Sequence, residues 1–186
     1  MNLTDSEHWQ KMAHNVLRML HKLKGHDLAF CLRVFDKDML DKEGESIAFK
    51  KCPDEFFERI VAILPIHVKK FRREDLVSTV EVLVKRNLGS ERLFYDFLCF
   101  QLERKMLRFT VNQYCRIMIA MADKQYYEDP IFWTDYMWTY LRKKSELEEL
   151  TAQDARKIWD CISYLKLKCP SLDTVEPQTI VEALMK

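Results

Sequence analysis

FRREDLVSTVEVLVKRN, residues 71–87, reads as one amphipathic helix, and its pattern returns at three other places in the chain. LKGHDLAFCLRVFDKDM (23–39), FTVNQYCRIMIAMADKQ (109–125) and LTAQDARKIWDCISYLK (150–166) all fall under it. Each stretch opens on a large apolar residue: Leu23, Phe71, Phe109 or Leu150. Mostly polar residues follow, then an apolar stripe. Five positions after the opening stand Leu28, Leu76, Tyr114 and Ala155. Nine after it come Leu32, Val80, Met118 and Trp159, and twelve after it Phe35, Leu83, Met121 and Ile162. Offsets of five, nine and twelve lie on one face of a helix. The openings are 48, 38 and 41 residues apart, and the long first interval holds DKEGESIAFKKC (41–52), expected to be an exposed insertion.

A second helix follows each of these. Leu93-Phe94-Tyr95 returns as Ile131-Phe132-Trp133, 38 residues on. Leu98, Leu102 and Arg104-Lys105 return as Tyr136, Tyr140 and Arg142-Lys143 at the same offset. Two helices per unit of about 38 residues is the signature of an α-solenoid. A plain helical bundle is the competing arrangement, and the shared offset across two consecutive helices favours the solenoid. The expected fold is therefore all-α, a short right-handed α-solenoid of about four antiparallel helix pairs in one domain, 1–186. The repeats run over about 23–70, 71–108, 109–149 and 150–186, behind a capping helix at 5–22. Helices are expected at 5–22, 25–40, 54–69, 72–87, 91–106, 111–126, 130–146, 151–167 and 177–185.

Punctuation agrees with this division. Thr110 with Gln113, and Thr151 with Asp154, have the spacing of capping boxes. Pro53, Pro130 and Pro177 sit near helix starts, where a missing N–H costs nothing. Gly25 and Gly89 fall in tight turns, and Pro65 should kink or shorten its helix. The aromatic residues Phe94, Tyr95, Phe97, Phe100, Tyr126, Tyr127, Phe132, Trp133, Tyr136, Trp138 and Tyr140 crowd two repeats and are expected in the core between them.

Composition bounds the function. With 48% hydrophobic and 32% charged residues, the 186-residue chain folds rather than staying disordered. A net charge of +1 is far from that of a dedicated nucleic-acid binder, so any such role rests on a local patch. The scarcity of glycine (3) and proline (5) argues against hairpins and phosphate loops. The six cysteines (Cys31, Cys52, Cys99, Cys115, Cys161 and Cys169) form no C-x-x-C pair and read as small buried thiols in a reducing compartment. No apolar run is long enough to span a bilayer. Polar residues at 1–10, including Asp5 and Glu7, exclude a secretory signal. From His8 to His26 there is no acidic residue, while Lys11, Arg18, Lys22 and Lys24 accompany Val16, Leu17, Leu20 and Leu23 on one face. That stretch reads first as the capping helix and second as an organelle-targeting helix.

No catalytic motif is present: no G-x-G-x-x-G, P-loop, H-E-x-x-H or G-x-S-x-G. No enzyme activity, cofactor or metal is expected. His14 and His21 have no Cys or carboxylate beside them at ligand spacing and read as solvated. Asp54, Glu55 and Glu58 favour the positive end of a helix dipole. The best functional feature is basic. From Lys69 to Arg108 ten basic residues, Arg92 among them, stand against six acids, a local balance of +4. The candidates for contact with RNA phosphates are Lys69, Lys70, Arg72, Arg73, Lys85, Arg86, Arg104, Lys105, Arg108, Lys124, Arg142 and Lys143, with Lys144 beside them. A solvated edge of favourable helix ends is the competing reading.

The unit, best seen over 71–108 and 109–149, resembles the degenerate 37- to 38-residue repeats of organellar α-helical repeat proteins. These are the heptatricopeptide- and octotricopeptide-like repeats of the RAP and FAST-kinase-like group. The resemblance implies a mitochondrial or plastid location and a role in organellar RNA metabolism or ribosome assembly. It also implies that RNA lies along the starts of the first helices. Those positions are Lys24-Gly25-His26-Asp27, Arg72-Arg73-Glu74-Asp75, Thr110-Val111-Asn112-Gln113 and Thr151-Ala152-Gln153-Asp154. Val111 and Ala152 cannot read a base, and three of the four sets carry an acid, which argues against base-specific recognition. The alternative is a structural subunit of a mitochondrial ribosome or respiratory complex with protein partners only. A cytosolic peptide-binding scaffold comes third.

Overall fold

The computed structural model describes residues 6–36, 39–40, 46–47, 54–90, 93, 98–124 and 132–186. Nine α-helices form among them: α1 Ser6–Met19, α2 Gly25–Asp36, α3 Asp54–His67, α4 Arg73–Lys85, α5 Phe100–Lys105, α6 Val111–Asp123, α7 Trp138–Glu146, α8 Ala152–Lys168 and α9 Val175–Met185. Among the described residues the fold is all-α apart from a two-residue antiparallel pair, β1 Met39–Leu40 with β2 Ser46–Ile47. Met39 and Leu40, expected at the end of a helix, belong to that pair, and α2 stops at Asp36. The rest of the 41–52 insertion lies outside the described residues, as do Pro53, Pro130, Phe94, Tyr95, Phe97, Tyr126 and Tyr127. The chain divides into two compact units, Met1–Phe97 and Leu98–Lys186.

In the first unit α2 packs on α4 and α1 on α3. Leu28, Leu32 and Phe35 of α2 and Leu76, Val80 and Leu83 of α4 are buried, the positions the stripe predicts. Phe56, Phe57, Ile60 and Leu64 of α3 complete this core. Trp9 of α1 sets its ring edge on Phe35, centroids 5.3 Å apart. The first helices α2 and α4 run in the same direction. At one end a Cβ on Gly25 would lie 2.9 Å from the Phe71 ring and 3.2 Å from the His67 carbonyl oxygen. At the other end Asp36 meets Lys85 and Arg86. Pro65 does not stop α3, which continues to His67 and then tightens into a 3-10 turn, Val68–Lys70.

In the second unit α6 packs on α8 and α7 on α9. Tyr114 of α6 and Tyr140 of α7 stack, centroids 4.2 Å apart. Each buried hydroxyl donates to a carbonyl across the helix pair: Tyr114 to Met137 (3.0 Å) and Tyr140 to Phe109 (3.2 Å). The Met137 carbonyl ends a π-turn, Phe132–Met137, that leads into α7 and buries Phe132 and Trp133. Trp138 is buried as expected, but Phe100 is 46% exposed, contrary to its expected place in the core. It instead offers its ring to the Arg104 guanidinium, 5.5 Å from the centroid.

One local structure recurs at the repeat starts. Short 3-10 turns, Leu20–Lys22, Val68–Lys70 and Met106–Arg108, end in an extended residue, Leu23, Phe71 or Phe109. The opening residue thereby turns inward: Phe71 is 2% and Phe109 3% exposed. The next backbone N–H is then taken by the side chain three residues on. The pairs are Lys24 with Asp27 (2.8 Å), Arg72 with Asp75 (3.0 Å), Thr110 with Gln113 (3.2 Å) and Thr151 with Asp154 (3.2 Å). Only a hydroxyl can return the favour, because Lys and Arg have no acceptor. Thr110 and Thr151 do so, taking the N–H of Gln113 at 3.3 Å and of Asp154 at 3.1 Å.

The tightest of these contacts gives a test. Gly25→Ala drives a methyl into the buried Phe71 ring and a backbone carbonyl. The substitution is expected to cost about 1–3 kcal/mol, as overpacked cores do. A urea titration followed by circular dichroism measures this; a variant as stable as the wild type would show that Phe71 yields freely.

Candidate nucleic-acid interface

The basic residues that are continuous in sequence separate in space. Lys69 and Lys70 close the 3-10 turn after α3, and Arg72 and Arg73 open α4; all four are exposed. Lys85 and Arg86 stand at the other end of the same 13-residue helix, about 20 Å away at 1.5 Å per residue. Within the first unit the candidates thus form two groups. Arg92 lies outside the described residues.

The group at the end of α4 is engaged by Asp36, Lys85 from an exposed position and Arg86 from a half-buried one. Asp36 is 9% exposed. Arg86 Nε donates to its Oδ1 at 2.6 Å, and Lys85 Nζ lies 3.2 Å from Oδ2. The Arg86 guanidinium also stacks 3.8 Å from the centroid of the buried Phe57 ring. A half-buried guanidinium with a carboxylate and an aromatic face already in place has little left for a phosphate.

The group at the start of α4 is different. Of its members, Arg72 lines a groove of about 180 Å³ between α2 and α4, together with Phe30, Arg33 and Ser78 and with His26, Asp27 and Asp75. Phe30 is 55% exposed, a large apolar ring facing solvent. The Arg33 guanidinium sits 5.7 Å from its centroid. The stripe offsets that locate the core pass over Phe30, which stands seven positions after Leu23. A large aromatic off the stripe is the sequence signal that points to it.

In the second unit Arg104 and Arg108 are exposed at the end of α5 and in the turn after it, with Lys105 half-buried between them. Lys124 is the half-buried C-cap of α6. Arg142 donates to Thr139 Oγ1 at 2.7 Å and pairs with Glu176 at 3.3 Å. Lys143 is exposed, and Lys144 is bonded to Glu149. His14 and His21 are exposed on and just after α1. Among the described residues no three His, Cys, Asp or Glu side chains gather as a metal site, and no helix is long and apolar enough to cross a membrane.

No protein-family profile matches the chain, and no curated protein matches it.

The engagement of Asp36 predicts a stability effect. Asp36→Asn removes the charge that Arg86 and Lys85 share and leaves a half-buried guanidinium poorly partnered. It is expected to lower the unfolding free energy by about 1–3 kcal/mol. Chemical denaturation of the variant checks it, and an unchanged midpoint would return Lys85 and Arg86 to the pool of free surface cations.

Proposed function

We infer that the chain is a non-enzymatic helical-repeat binding protein of organellar, mitochondrial RNA metabolism or ribosome assembly, holding single-stranded RNA through its phosphates. The observation that carries this reading is the groove between α2 and α4. There an exposed aromatic ring and two arginines, Arg33 and Arg72, line one groove, and Lys69 and Lys70 are exposed in the turn that precedes Arg72 in sequence. A ring face with cations around it accepts any base by stacking and any phosphate by charge. The acids Asp27 and Asp75 are taken up by the backbone N–H groups of Lys24 and Arg72, which reduces their opposition to an anion.

The solenoid of about four helix pairs is part of the proposal. Its support is the recurrence of one helix start at four places and the packing of first helix on first helix in both units. The organellar location rests on the repeat resemblance and on the acid-free composition of 8–26. Within the candidate set, Lys69, Lys70, Arg72 and Arg73 carry the binding, while Lys85, Arg86 and Arg142 serve first as internal partners.

A second reading, a scaffold subunit with protein partners only, draws on a different feature. An apolar groove of about 520 Å³ lies between α3 and the turn after α4, lined by Val61, Ala62, Pro65, Leu88, Gly89 and Leu93. Ile66, on the same helix as three of these, is 74% exposed. Apolar surface of this kind suits a protein partner better than a nucleic acid.

Fluorescence anisotropy with a generic single-stranded RNA separates the readings. On the RNA reading, affinity falls steeply between about 50 and 200 mM salt. Reversing Lys69, Lys70, Arg72 and Arg73 to Glu is expected to flatten the slope of log K against log salt by about 2 to 3, at roughly 0.7 per phosphate. Phe30→Ala is expected to weaken binding by about 1–3 kcal/mol while leaving the slope intact. No binding at low salt overturns the RNA reading and leaves the scaffold.

A further inference from the structure

IVAILPI, residues 60–66, is an unbroken apolar run inside α3. The core uses one side of it: Ile60 and Leu64 are fully buried, as are Phe56 and Phe57 before them. The other side carries Val61, Ala62, Pro65 and Ile66, of which Ala62 and Ile66 are exposed. With Glu58 these residues lie on one helical face, about 12 Å long at 1.5 Å per residue. A helix that is apolar on two sides is suited to packing on two sides. The second side borders the groove of about 520 Å³, whose opposite wall is Leu88, Gly89, Ser90 and Leu93. That wall is fixed locally. Gly89 takes the left-handed backbone, φ 94°, that glycine tolerates, and the Leu93 N–H donates to Ser90 Oγ at 3.2 Å.

Two acceptors interrupt these apolar walls. Glu58 lines the groove and is exposed. Its neighbour Glu55 pairs with Arg59 at 2.7 Å, whereas Glu58 makes no ion pair among the described residues. The second acceptor is backbone. α3 runs on through Pro65, which has no N–H, so the Val61 carbonyl lacks the helix bond that position 65 would otherwise give it. Among the described residues no Lys, Arg or His lines the groove. Apolar walls, an unpaired carboxylate and a carbonyl short of a donor call for an apolar surface that carries a cation. A phosphate backbone is the opposite of that, since Glu58 repels it.

We propose that this groove docks a short amphipathic helix of a partner protein. Its apolar side chains seat against Val61, Ala62, Pro65 and Leu88, and a Lys or Arg beside them is held by Glu58 and the Val61 carbonyl. A face of about 12 Å spans two helical turns, which accommodates anchors at i, i+4 and i+7 of the incoming helix. Arginine fits better than lysine, because its fork presents N–H groups to two acceptors at once. The site shares no lining residue with the α2–α4 groove and stands whether or not that groove holds RNA.

The test uses the full chain against a phage-displayed library of amphipathic helical peptides. The library keeps a leucine stripe at i, i+4 and i+7 and randomises the remaining positions. Selection is expected to enrich peptides with Arg or Lys at one position beside the stripe. Ala62→Asp, which puts a carboxylate among the apolar walls, is expected to abolish their binding. Glu58→Arg is expected to weaken it by roughly fivefold or more, on the scale of a partly exposed ion pair, and to turn selection towards Glu or Asp at the same position. Both replaced side chains are exposed, and a thermal melt confirms that each variant folds. Glu58→Gln, which keeps the shape and removes the charge, is the second variant if Glu58→Arg does not fold, and is expected to lose the basic preference. The proposal is overturned if no peptide is enriched, if the enriched peptides bind Ala62→Asp equally well, or if they show no basic preference. A self-associated protein that Ala62→Asp returns to monomer in light scattering would put a second copy in the groove and overturn it too. RNA anisotropy with Ala62→Asp is expected to match the wild type, so failure of either site is seen separately.

Discussion

α2 and α4 touch at two points that stripe burial does not fix, and these set everything between them. At the entry, Gly25 lets the Phe71 ring come within a distance no side chain would allow. At the exit, Asp36 grips Arg86 and Lys85. Between them lie Leu28, Leu32, Phe35, Leu76, Val80 and Leu83, all buried. Each such side chain contributes about 1.5–3 kcal/mol by leaving water. The stripe therefore supplies most of the energy, and the ends supply the register. Apolar burial is non-directional and would tolerate a slip of one turn. A carboxylate aimed at a guanidinium Nε would not. The groove that carries Phe30 and Arg33 exists because this register places Arg72 and Ser78 opposite them.

The repeat starts divide by unit. All four use the side chain three residues on to take the cap N–H. In the second unit the cap residues are Thr110 and Thr151, whose hydroxyls answer the helix's own donors. In the first unit they are Lys24 and Arg72, which cannot. A cation at the positive end of a helix is unfavourable by a few tenths of a kcal/mol to about 1 kcal/mol. That cost is not compensated by any fold requirement visible at Arg72, since threonine serves the same backbone geometry elsewhere in this chain. The departure from local optimum falls beside the exposed Phe30. Sites where local rules are broken without structural gain are where binding is to be sought.

Much of the helical layout was legible because the apolar residues keep helical offsets from a visible starting residue. The stripe at five, nine and twelve located the buried positions of α2, α4, α6 and α8, with Trp159 half-buried as the loosest member. The two Thr-based caps were readable from spacing alone. What was not readable depends on contacts distant in sequence. Asp36 looks like any surface acid until α4 brings Arg86 against it. Met39 and Leu40 continue a helical pattern, yet they pair with Ser46 and Ile47. Phe100 belongs to an aromatic-rich run, but its exposure is set by which face of a short helix turns outward. The basic residues from Lys69 to Arg86 read as one patch because a sequence shows order and hides the length of α4. Once that helix is rigid, the charges are on opposite ends, and those at one end are already paired with Asp36.

The second unit shows the same demand for register met by weaker means. Its first helices, α6 and α8, also run in one direction, since they pack along each other with Ala122 and Asp123 at the end of α6 against Cys169 and Tyr164 at the end of α8. Here the cross-helix contacts are a phenol on a carboxylate at the exposed rim and the Cys169 thiol on the Ala122 carbonyl in the interior. A thiol hydrogen bond is weak, so that contact adds little beyond filling space. The first unit closes the corresponding helix end with a carboxylate held between two cations.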